Sequence, residues 1–435
     1  MLGLRSLAIF PQVWYHAGKG WWMKMNERLL TFDPELASLL RMEETRQEDT
    51  LDMMASESIQ DDLTLQLGCS AFAGKTAVGL PGKQRLLGSD VIDQLEKLAA
   101  RRASELFGAE HANMLPYSGT VANLCVYDGL LSPGDRVLAL DPEHGSHASH
   151  GRRAHISSRI YDFIHFGVDE NTQLVDYHAL DCLAREVKPK LLLVGSSSYP
   201  RLFDYARLAQ IAREVGACLM ADIAHTTGLV AAGVIPSPVP HAHVVTASCT
   251  KTMCGAHTGF ILCKNEVADR VDRGVYPGVL ASMHPQTIAQ TAWAMQKAAT
   301  PAFRDEMKRL LQNTKSLCTA LIRRGIPLLT GGSDCHMLVI DLRKTGVDGV
   351  TLGNRLSEIG IWVNSKNVPH DKSPLPMGIR LGCTVATQRG MGKDEMEAIA
   401  DLIARAARGF DETERDALRE EVAALCRAFP TKKEG

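Results

Sequence analysis

Long apolar runs are missing from this sequence. No stretch approaches the ~18 apolar residues that a membrane-spanning helix needs, and Pro11 cuts short Leu7-Ala8-Ile9-Phe10 before it could serve as a secretory core. A dominant charge sign is missing too: 48 Lys and Arg stand against 50 Asp and Glu, a net charge of -2. Neither nucleic acid nor an anionic membrane would find an electrostatic footprint on such a chain. The eleven cysteines form no C-x-x-C pair and several lie in apolar runs such as Phe260-Ile261-Leu262-Cys263. Reduced thiols, a cytosolic compartment and no metal centre follow as expectations, with Cys249 and Cys254 as packing residues. Internal repeats and low-complexity segments are also absent. A small molecule is the partner these exclusions leave.

What is present is enough for a substantial core: 435 residues, 45% of them hydrophobic, predict two domains. Residues 1–55 read as an N-terminal leader and arm, 56–300 as a large domain, and 301–435 as a smaller α+β domain with Pro301 at the boundary. The first 26 residues hold no acidic side chain, and Met23 or Met25 offers a later start site.

Between residues 90 and 265 apolar strand patterns and helical periodicity alternate. Arg136-Val137-Leu138-Ala139-Leu140, Lys190-Leu191-Leu192-Leu193-Val194, Ala217-Cys218-Leu219-Met220-Ala221 and 243–249 read as strands buried on both faces. Helical spacing covers Ile92 to Phe107, Thr120 to Leu131, Tyr177 to Val187 and Leu208 to Val215. Such alternation predicts an α/β fold with a mostly parallel sheet. Beyond residue 285 a long helical region to Arg324 precedes short strands, among them His336-Met337-Leu338-Val339-Ile340, and two closing helices.

Asp222 and Lys251 close two of these strand regions, 29 residues apart. Taken singly, an Asp or Lys at a strand end is usually just solvated. Together at the carboxyl ends of buried parallel strands, where such sheets bind ligands, they suit pyridoxal 5'-phosphate (PLP), whose ring nitrogen wants an acid and whose aldehyde wants a lysine. Partial desolvation would favour the neutral amine that attacks the aldehyde. Ser118-Gly119-Thr120 opens a helix with free N–H groups suited to a phosphate, although a simple helix cap is the plainer reading. His144, in a loop after a strand, could stack on the pyridine ring or carry protons, and His225 lies three residues after Asp222.

The segment from Ala221 to Gly233, followed by Pro236-Ser237-Pro238 and His241 to Thr246, resembles serine hydroxymethyltransferase. So do Ala55-Ser56-Glu57, Pro81-Gly82-Lys83, Leu106-Phe107-Gly108-Ala109, Ser118-Gly119, Asp371 to Pro374 and Gly378-Ile379-Arg380-Leu381-Gly382, in family order from about Leu36 to Pro430. The resemblance implies a fold type I PLP-dependent transferase, a homodimer or homotetramer whose active sites draw on both subunits. It implies Lys251 as the cofactor's covalent anchor, Asp222 on the pyridinium nitrogen and His144 on the ring face. Ser118, Gly119 and Thr120 would hold the phosphate, and Ser197 and His225 would contact the phenolic oxygen. Arg380, helped by Ser56, would grip the substrate carboxylate, a match that an Arg fork makes bidentately.

The likeness breaks on the substrate side. Thr76, Val78 and Leu86 stand where the family brings tyrosine, glutamate and tyrosine; Thr250 replaces a histidine, His257 an arginine, and an asparagine is lost near Lys366. Ala281-Ser282 replaces a glycine pair that the neighbouring subunit offers to the phosphate, leaving Ser282 to serve. A general acid–base group contributes about 10²–10⁴ in rate, so Val78 puts tetrahydrofolate-dependent transfer in question. The expected chemistry is bond making or breaking at Cα by a folate-independent aldolase or transaldolase, with His144 or His225, aided by Thr250, moving the proton. Rival readings are ordinary serine or α-methylserine hydroxymethyl transfer, a PLP racemase, transaminase or decarboxylase, and a non-catalytic relative.

Overall fold

Strands made almost wholly of Leu, Val and Ala have no polar face to offer water, so they must be covered on both sides. The computed structural model of the protein, which describes residues 28–431, meets this demand with a central sheet flanked by helices. The expectation for the first 26 residues lies outside the described residues. In chain order the strands are β1 (Leu51–Asp52), β2 (His111–Asn113), β3 (Arg136–Leu140), β4 (Asp162–Phe166), β5 (Leu191–Gly195) and β6 (Cys218–Asp222), followed by β7 (Val244–Ser248), β8 (Gly259–Cys263), β9 (Met337–Asp341), β10 (Ile361–Trp362), β11 (Asn364–Lys366) and β12 (Gly378–Gly382).

The central sheet runs β2-β8-β7-β6-β5-β3-β4. From β7 to β4 every pairing is parallel, while β8 and β2 join antiparallel. All residues of β5, β7 and β8 are buried. Crossover helices start where their sequences supply caps: Asp176 accepts from the N–H groups of His178 and Ala179, and Asp204 from that of Arg207. Gly216, at φ +71°, ends the helix Tyr205–Val215 in the left-handed conformation and turns the chain into β6. The α/β expectation holds, with a sheet that is mostly parallel.

A second sheet, β11-β12-β9, is antiparallel and lies wholly after Pro301. The helical region before it is two helices, Pro285–Ala298 and Pro301–Arg323; Thr300 caps the second through the Phe303 N–H, and Pro301 occupies its first turn. The N-terminal segment is stitched to this later half: β1 pairs in parallel with β10, and the Gly382 N–H donates to the Met53 carbonyl at 2.8 Å. One continuous buried core reaches from Leu51 to Cys426. Among the described residues no helix is long and apolar enough to cross a membrane.

Candidate active site

Asp222 is the last residue of β6, and its register partner Thr246 lies in β7, whose chain reaches Lys251 three residues past the strand end. Both side chains therefore arrive at the carboxyl edge of the parallel strands. They line one cavity of about 480 Å³, with Ser56, Glu57, His147, Thr250 and His257 also on its wall. Burial pushes the Lys251 amine down to about 8; the neighbouring Asp222 charge opposes this fall and Arg380 adds to it.

Burial alone would raise Asp222, yet its carboxyl is held well below the usual range. Nε2 of His150 and Nδ2 of Asn123 meet Oδ2 at 3.0 and 2.8 Å, and the Ala224 N–H donates to Oδ1 at 2.9 Å. Asn123 is itself held, since its Oδ1 accepts from Thr246 Oγ1 at 2.6 Å. An ionised, oriented acid facing a readily deprotonated amine is what a PLP ring requires at its two ends.

The start of the helix Gly119–Leu130 forms another part of the cavity wall. Ser118 Oγ accepts from the Val121 N–H at 3.2 Å, and Ser118, Gly119 and Thr120 all line the cavity. The first-turn N–H groups there lack intrahelical acceptors. Bare backbone matters at this corner: a methyl group at Gly259 would stand 2.3 Å from the Ser118 carbonyl. The corner fits a phosphate group, and the donor set as a whole fits PLP.

His144 is not brought to this cavity. It ends a short 3₁₀ turn, Pro142–His144, where Nδ1 accepts from the Val168 N–H at 3.1 Å and the ring packs on His370 with centroids 4.5 Å apart. His147, three residues on, lines the cavity instead. Its Nδ1 lies 2.8 Å from Ser149 Oγ, and burial pushes it down to about 4. The run His144, His147, His150 is the available sequence signal; the first member packs against Val168 and His370, the second lines the cavity and the third holds Asp222.

His225, Ser197 and Arg380 are buried but are not among the lining residues. His225 Nδ1 lies 3.4 Å from His336 Nε2, and burial, with Lys251 and Arg380 nearby, keeps its imidazole neutral. Ser197 donates its hydroxyl to the Ser146 carbonyl at 2.9 Å and accepts Arg380 Nη1 on its own carbonyl at 2.6 Å. Arg380, 6% exposed, has an Nε without a partner among the described residues. Thr250 donates to the Ala256 carbonyl at 3.3 Å.

Thr76, Val78 and Leu86 do not line the cavity, nor does Ser282, whose carbonyl accepts the Tyr117 hydroxyl. Lys366 on β11 is half-buried near Arg380 and Arg152. A carboxylate not singled out by sequence does reach the wall: Glu57, in contact with Asp52, which burial and that contact push up to about 8. All eleven cysteines are free, and burial raises the thiols of Cys249 and Cys254.

The family model for serine hydroxymethyltransferase matches residues 29–403, most of the chain. Enzymes of that family are generally PLP-dependent transferases, oligomeric, and act on small molecules. With a mostly parallel sheet whose strand ends converge on Lys251 and Asp222, and a family match of this extent, the chain belongs to the serine hydroxymethyltransferase family and has the fold of type I PLP enzymes.

Proposed function

We propose that this protein is a PLP-dependent enzyme that makes or breaks a bond at Cα of a glycine-, serine- or threonine-type amino acid, by aldolase or transaldolase chemistry that needs no tetrahydrofolate. One observation carries the reading: Lys251 and Asp222 line one cavity with Ser118, Gly119 and Thr120, a set that suits PLP, while Val78 stands at the position expected to hold the folate-side glutamate. PLP supplies, when bound, an electron-poor ring that takes up the electron pair released at Cα.

The chain's own residues divide the remaining work. Lys251, whose amine burial pushes down to about 8, would hold the cofactor through its aldehyde. Asp222 would hold a proton on the ring nitrogen, and Ser118, Gly119 and Thr120 would hold the phosphate. His147 takes the ring-stacking role expected of His144. Arg380 and Ser56 orient the substrate carboxylate. Glu57, the one lining carboxylate besides Asp222 among the described residues, moves the proton on the Cβ side.

The reading includes a homodimer or homotetramer in the cytoplasm, with shared sites and with large and small domains meeting near Pro301. Leu87, 98% exposed, and its neighbour Leu86 support a covering second copy. The decisive assay loads purified protein with PLP and follows glycine and aldehyde release from serine and threonine. Rapid release without tetrahydrofolate is the expected result. Release only on its addition overturns the folate-independent reading in favour of hydroxymethyl transfer, for which Glu57 would be a relocated base. Hydrogen exchange at Cα without aldehyde would instead favour racemase, transaminase or decarboxylase chemistry, and no visible absorbance with PLP a non-catalytic relative.

A further inference from the structure

We propose that His336 is a positioning residue that fixes His225 in the tautomer with its proton on Nε2, so that His225 serves the site as a hydrogen-bond donor and not as a base. The tautomer is a property of the bare protein. Only its use against a cofactor rests on the functional reading above.

His336 immediately precedes β9 and has no solvent exposure. Its backbone is pinned, because its carbonyl accepts from the Cys383 N–H at 3.0 Å. The ring lies nearly parallel to that of His225, at an interplanar angle of 23° and a centroid separation of 5.5 Å. Nε2 of His336 has two neighbours, the Ala55 carbonyl at 3.1 Å and His225 Nδ1 at 3.4 Å. Nδ1 of His336 is buried with no partner among the described residues.

A carbonyl oxygen only accepts, so the nitrogen facing it must carry the hydrogen. The Nε2–H of His336 is then shared between Ala55 and His225, and His225 Nδ1 must present a lone pair. A neutral imidazole has one N–H, which for His225 is left on Nε2. In the opposite arrangement, with His225 Nδ1–H donating, a His336 lone pair would face the carbonyl and its Nδ1–H would be buried without an acceptor. The first arrangement turns an N–H to the carbonyl and leaves only a lone pair unpaired, on Nδ1. A doubly protonated His336 would also satisfy the carbonyl, but burial pushes this group down to about 3, and Arg380 and Lys251 add to the fall. Burial, with Lys251, Arg380, His336 and His147 nearby, likewise keeps His225 neutral.

The consequence is a division of labour. With its lone pair spent on His336, His225 offers an N–H to an anionic atom and has no free basic nitrogen. Proton abstraction then falls to other groups on the wall.

The test uses the whole protein labelled with ¹⁵N-histidine, without PLP, and reads each imidazole's tautomer from its long-range ¹⁵N–¹H correlations, with His225→Asn assigning the signals. The expected result is a single His225 form, protonated at Nε2. His336→Phe should lose that single form to a mixture, and His336→Gln, whose amide N–H can still donate to Ala55 and His225, should restore it. A wild-type His225 protonated at Nδ1 or on both nitrogens at neutral pH overturns the proposal, as does a spectrum unchanged in His336→Phe. Should the Phe variant not fold, the wild-type and Gln spectra alone decide. The tautomer result stands or falls whether or not the protein takes up PLP.

Discussion

His150 Nε2 lies 3.0 Å from Asp222 Oδ2, and the histidine has no exposed surface. This contact, with Asn123 on the same oxygen, keeps a buried carboxylate ionised where burial alone would protonate it. A hydrogen bond to a charged buried acceptor typically contributes about 1.5–3 kcal/mol. His150→Phe should therefore weaken PLP binding about ten- to a hundredfold, measured by titrating apoprotein with PLP. An unchanged dissociation constant would remove His150 from the cofactor's support.

Cofactor attachment should follow the ionisation of Lys251. With its amine at about 8 instead of 10.5, the neutral fraction at pH 7 is roughly 300-fold larger than for an ordinary lysine. The rate at which apoprotein develops its PLP colour should rise with pH and level off above pH 8, and Lys251→Ala should abolish the covalent product seen by mass spectrometry after borohydride reduction.

The two loop histidines separate cleanly. His147→Ala should lower turnover and loosen PLP, whereas His144→Phe, at a position occupied with Val168 and His370, should leave both within about twofold. Equal losses in the two variants would mean that the loop acts as a unit and that cavity lining does not single out His147.

Glu57→Gln keeps the shape of the side chain and removes its proton-carrying capacity. Turnover of threonine or serine should fall by about 10²–10⁴ while the PLP dissociation constant stays put. A fall in affinity with turnover intact would make Glu57 structural.

Glu96 gives a stability prediction far from the chemistry. The residue is 2% exposed; its carboxyl accepts from Gln84 Nε2 at 3.0 Å and is pushed up to about 8 by burial and by Asp93. A carboxyl raised on folding binds its proton in the native state but not in the unfolded chain between about pH 4.5 and 8, so its contribution is full at low pH and is lost as pH rises through 8. The slope for one such proton is about 1.4 kcal/mol per pH unit. Glu96→Gln should flatten this part of the pH–stability profile and raise the melting temperature at pH 8, where differential scanning calorimetry can compare the two proteins.

The parts of the fold that could be read from sequence are those whose apolar pattern is continuous. β3 and the helix Tyr177–Val187 match the expected spans because Val137 to Leu140 need cover on both faces and Asp176 is a cap. β4 was not legible, since Asp162 and His165 interrupt its apolar run at the sheet's edge. The run in β8 was visible, but its antiparallel direction depends on the chain reversal after Lys251 and not on composition. In the site, Asp222 and Lys251 stood out because strand ends are local features. That His147 and not His144 lines the cavity was not legible, for a loop has no period and the choice is made by contacts with Ser149 and Val168. The pairing of His336 with His225 and Ala55 joins residues 111 and 281 positions apart and leaves no local trace.

The parallel pairing of β1 with β10 has a mechanical corollary. It sets the Ser56 segment against the Arg380 strand, where a methyl group at Gly382 would stand only 2.4 Å from Ala55 Cα, and the Arg380 hydrogen bond to the Ser197 carbonyl ties both to the sheet that carries Asp222. A carboxylate gripped by that guanidinium would therefore be held at a set reach from the amine, because the same arginine is moored to both sheets.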